Sequence, residues 1–101
     1  MTVGFSTVSS IKAGRVEDAI ADGEKFKKLL AAAGAQNVRT MLLMSSTPIR
    51  TVLSFEAADQ TALGKVSDTF LADPAAIEAM REMGGADGWS LAYTTDTWME
   101  I

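Results

Sequence analysis

Between Arg50 and Met83 the spacing of apolar residues changes period, and that change predicts most of the fold. Thr51, Leu53 and Phe55 alternate with Arg50, Val52, Ser54 and Glu56, which puts successive side chains on opposite faces of a strand. After Phe55 the repeat lengthens. Asp59 is an N-cap residue type, and Leu63, Val66 and Phe70 recur at helical spacing, so a helix over 59–72 is expected to fold back over the Leu53 and Phe55 face. Asp73 and Pro74 then restart a second helical segment over 74–83, with proline at the first position, where its missing N–H costs nothing.

Upstream, residues 2–11 alternate Val3, Phe5, Thr7, Ser9 and Ile11 with Gly4, Ser6, Val8 and Ser10, a first strand rich in small hydroxyls. From 15 to 33 the residues Val16, Ala19, Ile20, Phe26, Leu29, Leu30 and Ala33 fall on one helical stripe. Glu17, Asp18, Asp22, Glu24, Lys25 and Lys28 fall outside it. Acidic residues at its start, Lys27 and Lys28 near its end and Gly34 as its stop agree with a helix of that polarity. A second strand is expected over 36–45, returning through Ser46, Thr47 and Pro48. That turn pairs Arg39 with Ser54, Met41 with Val52 and Leu43 with Arg50 on one face, and Val38 with Phe55 and Thr40 with Leu53 on the other. The run GGADG interrupts the chain before a last strand over 89–101.

Composition narrows the chemistry. A chain of 101 residues with 48% apolar and 22% charged positions is that of one globular domain, 1–101, with a single core. It has no cysteine, hence no disulfide framework and no thiolate nucleophile, and no histidine, the commonest general base and zinc ligand. Neither a metal nor another cofactor is expected. A net charge of −4 without a basic run argues against nucleic acid as a partner. No apolar run is long enough for a membrane span and the N-terminus lacks the pattern of a standard signal, so a cytoplasmic protein is expected.

The order strand, helix, strand, strand, helix, strand is the split βαβ pattern of the α+β class: a four-stranded antiparallel sheet with its helices on one face. The other face is left bare, and the register puts Met41, Leu43 and Val52 there beside Arg39, Arg50 and Ser54. Monomers rarely leave such a patch in water, and a second copy of the sheet is its simplest cover, so a homodimer is expected. In layout, carried by the segment RTVLSFEAADQTALGKVSDTFLADPAAIEAM, the chain resembles the dimeric α/β-barrel superfamily. This is the ferredoxin-like group that includes antibiotic-biosynthesis monooxygenases and stress-responsive barrel proteins. The resemblance implies two facing sheets with a cavity in each half. It carries over no catalytic residue, because members of that group that handle haem use a histidine and this chain has none.

On the predicted inner face Arg39 and Arg50 sit among apolar neighbours, where a guanidinium can hold a carboxylate or an enolate. The plainer reading is that each lies at a sheet edge or pairs with Glu56 or Glu100. Trp89, Tyr93 and Trp98 are candidates for an aromatic pocket, with Tyr93 as proton donor, against the plainer roles of core or dimer contacts. Met41, Met44, Met80 and Met83 read as adaptable core filling. The candidate ligand set is therefore Arg39, Met41, Arg50, Ser54, Trp89 and Tyr93, a few polar groups in apolar walls. Two functions compete. One is a homodimer that binds an apolar or aromatic small molecule in each half and, where it catalyses, acts as a cofactor-independent monooxygenase or isomerase. The other is a non-catalytic dimerisation or interaction module.

Overall fold

The computed structural model describes residues 2–101. The elements follow in the order β1 (Val3–Ile11), α1 (Val16–Ala32), β2 (Gln36–Leu43), β3 (Arg50–Ala57), α2 (Gln60–Leu71), α3 (Pro74–Gly84) and β4 (Ser90–Met99). The strands form one antiparallel sheet in the order β2-β3-β1-β4, a ferredoxin-like α+β fold.

Local signals set the element ends. The Asp59 carboxylate accepts the Ala62 N–H at 2.8 Å and the Asp73 carboxylate accepts the Ala75 N–H at 2.9 Å, so each short helix begins on a side-chain cap. Pro74 stands just inside α3. Gly34 closes α1 with φ of 100°, a conformation that would strain a residue bearing a Cβ. Lys27 and Lys28 fall short of the last turn of α1, which holds no basic residue, so they do not complement the dipole there.

Pairing across the sheet sorts the side chains. Phe5 lies opposite Phe55 and Thr7 opposite Leu53 on the face that carries the helices, and the Phe5 and Phe55 rings meet with centroids 5.4 Å apart. Val3, Leu30, Phe55, Ala57, Leu63 and Val66 form the main core, where α1 and α2 press on β1 and β3. A second cluster of Ile11, Ala19 and Trp89 lies under the start of α1. The hairpin register is the expected one from Arg39 opposite Ser54 to Leu43 opposite Arg50. It shifts between Gln36 and Arg39, where Asn37 takes φ of 50°.

Two assignments of side change. Asp22, expected on the solvated side of α1, is 2% exposed, while Ile20, expected on the apolar stripe, is 48% exposed. The buried residues of α1 are Ala19, Asp22, Phe26 and Leu30, a stripe of three- and four-residue steps with a carboxylate inside it. Of the four methionines expected in the core, Met83 packs against the second cluster, whereas Met41, Met44 and Met80 are exposed.

Candidate functional site

The helices do not seal against the whole sheet. Between them and the strands lies a cavity of about 300 Å³. Phe5 and Phe55 from the sheet, Phe26 from α1 and Phe70 from α2 supply aromatic walls, the last two rings stacking with centroids 5.9 Å apart. Thr7 sits at the buried floor, and Leu71, Met80 and Tyr93 are exposed at the rim. β4 is exposed along all but its first residue, so the cavity opens on the side where the helices stop short of that edge strand. The lining carries hydroxyls from Thr7, Ser67, Tyr93 and Thr95 and no charged side chain. Such a lining can exchange hydrogen bonds with a carbonyl or hydroxyl, but it offers no counter-charge to a carboxylate, whose burial unpaired costs several kcal/mol, by order of magnitude.

The six residues singled out from sequence are split between three places. Arg39, Met41, Arg50 and Ser54 lie together on the bare face of the sheet, in register with Ser6 and Val8 of β1. Among the described residues neither arginine has an ion-pair partner; Arg50 Nε instead donates to the Ser46 hydroxyl at 3.1 Å. Tyr93 pairs with Ser9 and stands on the opposite face, at the mouth of the cavity. Trp89 precedes β4 and is buried, its indole N–H donating to Asp22 Oδ2 at 2.8 Å. Trp98 lies on the bare face, across Gly4, where a Cβ would collide with the indole ring, and donates to the Ser6 hydroxyl at 3.3 Å. The three aromatic residues of the last segment thus share no pocket.

Asp22 is the residue that sequence reasoning misplaced. Burial is the main cause that lifts its carboxyl pKa from 3.8 to about 6. The Trp89 hydrogen bond works against that shift, Glu82 adds to it, and Lys25 opposes it. Lys25 spans from α1 to α3 and donates to Glu82 at 2.9 Å, and this contact raises the pKa of the ammonium. No sequence signal points to Asp22, because its partner Trp89 is 67 positions away.

Among the described residues no group of three or more acidic, histidine or cysteine side chains could hold a metal ion, and no helix is long and apolar enough to cross a membrane. Neither a protein-family model nor a curated protein matches the chain. Solved structures do match its fold. A NIPSNAP family protein from Agrobacterium tumefaciens superposes with a TM-score of 0.80 at 7% identity, over 100% of this chain and 94% of that one. A NIPSNAP domain protein from Burkholderia xenovorans gives a TM-score of 0.76 at 16% identity, over 100% and 95% of the two chains. A DABB family protein with a ferredoxin-like fold, from Mesorhizobium loti, gives 0.71 at 17% identity over 99% and 97%. At these identities what is shared is architecture: the chain has a ferredoxin-like fold, as the DABB family protein does.

Proposed function

We propose that this protein binds an uncharged apolar or aromatic small molecule in the cavity between its sheet and its helices, as a homodimer that packs through the bare sheet face. The observation that carries the reading is the cavity lining: aromatic and aliphatic walls, four hydroxyls and no charge. It moves the ligand away from Arg39, Met41, Arg50 and Ser54, whose position on the bare face suits a partner chain. Where the protein catalyses, Tyr93 is the titratable side chain in the lining and so the candidate proton donor, in keeping with a cofactor-independent monooxygenase or isomerase.

The dimer is supported by what the bare face holds. Val8, Met41, Leu43, Val52 and Trp98 give it an apolar surface without a helix to cover it. Its charges complement one another under a two-fold axis. Arg39, Ser54, Ser6 and Asp96 occupy one row across the four strands, so Arg39 and Asp96 mark opposite edges of the sheet. An axis parallel to the strands, set between two facing sheets, brings each Arg39 over the Asp96 edge of the other copy.

Thermal denaturation in the presence of naphthalene and of the anion 2-naphthoate tests the binding site. The neutral compound is expected to raise the midpoint and the carboxylate to raise it far less. Leu71→Trp, at the exposed rim, should abolish the naphthalene effect without lowering the midpoint of the free protein. Equal stabilisation by both compounds would remove the argument from the uncharged lining.

A further inference from the structure

A second recess lies on the far side of α3, between it and α1 and closed at one end by residues 85–89, with a volume of about 500 Å³. Its chemistry is the opposite of that of the apolar cavity. Three of its carboxylates already have cations: Asp18 holds Arg15, Glu78 holds Arg81 and Glu82 holds Lys25. Asp87 is exposed at the outer end, where its backbone carbonyl accepts from Arg15. Two carboxylates of the lining are left without a cation, that of Asp87 at the exposed end and that of Asp22, which is buried. One of its oxygens accepts from Trp89, and the other, Oδ1, is buried with no hydrogen-bond partner.

We propose that this cleft binds a small organic cation carrying N–H donors, an alkylammonium or guanidinium group, with Asp22 as its counter-charge. A buried carboxylate oxygen without a donor is costly, and an incoming N–H removes that cost while the ligand's charge balances the carboxylate. An anion would find every cation of the cleft engaged. A bare metal ion would find too few ligands among the described residues. Lys25 and Glu82, whose side chains are 55% and 42% exposed, share the lining with Asp22, and in the proposed complex the ligand takes the place of the Lys25 ammonium on Glu82. Besides the three ion pairs the lining holds the exposed carboxylate of Asp87, and Glu82 raises the pKa of Asp22 both by its charge and through a side-chain hydrogen bond. Ionisation of Asp22, whose carboxyl titrates near pH 6, is what would switch binding on as pH rises.

The two tryptophan indole N–H signals in an ¹⁵N spectrum read this out directly, since that of Trp89 is bound to the same carboxylate and that of Trp98 lies on the far face of the sheet. Titration with methylammonium at fixed ionic strength and pH 7.5 should give a saturable shift of the Trp89 signal. Tetramethylammonium, which has no N–H, should not shift it, and the Trp98 signal should stay still. Asp22→Asn keeps an acceptor for Trp89 but removes the charge, and should weaken binding by about tenfold or more, the equivalent of one charge-assisted hydrogen bond. If that variant does not fold, Glu82→Gln, at an exposed position, should weaken binding in the same direction. Equal shifts with both cations, a Trp89 signal that never saturates, or undiminished binding in both variants would overturn the proposal.

Discussion

Asp22 shows at the scale of one residue how a local rule yields to a distant contact. Trp89 is too large to leave in water and its indole N–H too polar to bury alone, so the carboxylate three residues after Ala19 turns inward to accept it. The arrangement carries a cost that depends on pH. Because the folded carboxyl has its pKa raised to about 6, the folded state holds its proton over a range where the unfolded chain has lost it. The penalty is absent below the unfolded value, grows as pH rises between the two values and is complete above about 6. Asp22→Asn, which still accepts from Trp89, is therefore expected to stabilise the protein at pH 8 by up to about 3 kcal/mol, by order of magnitude. The gain should vanish by pH 3.5. Urea denaturation at the two values checks the sign, and a variant less stable than the parent at pH 8 would show that the carboxylate itself is needed for the fold.

At the scale of elements, what could be read in advance was what depends on neighbours in the chain. The period of 2 in β1 and β3, the Asp59 and Asp73–Pro74 helix starts and the hairpin register from Arg39 to Leu43 all follow from residues a few positions apart. The Asp59 cap carries a measurable share: Asp59→Ala should destabilise the protein by about 1 kcal/mol, seen as a lower urea midpoint with an unchanged slope. Less legible was which helical residues turn inward, since Ile20 and Asp22 exchange sides for a reason that lies in the segment before β4. The candidate site was legible only in part. Sequence alternation correctly grouped Arg39, Met41, Arg50 and Ser54 on one face, and it could not reveal a cavity. That space exists because α2 and α3 stop short of β4, a matter of helix placement rather than of residue pattern.

For the whole molecule the two faces of the sheet divide the work. The covered face encloses the apolar cavity, and the bare face, with Val8 and Val52 at its centre, is where a second copy is expected to pack. Val52→Asp would put a charge at that centre, where an unpaired buried carboxylate costs several kcal/mol, by order of magnitude. Light scattering at micromolar concentration should then fall from the mass of two chains to that of one, or rise through aggregation, while the helical circular dichroism is kept. A parent protein already at the mass of one chain would remove the second copy from the proposal. Where the ligand goes is settled most directly by mapping naphthalene-induced shifts in the NMR spectrum of the labelled protein. Binding under the helices predicts shifts at Phe26, Phe55, Phe70, Met83 and Tyr93, with Met41 and Val52 unmoved. Shifts confined to Met41, Val52 and their neighbours on the bare face, or none at saturation, would contradict it.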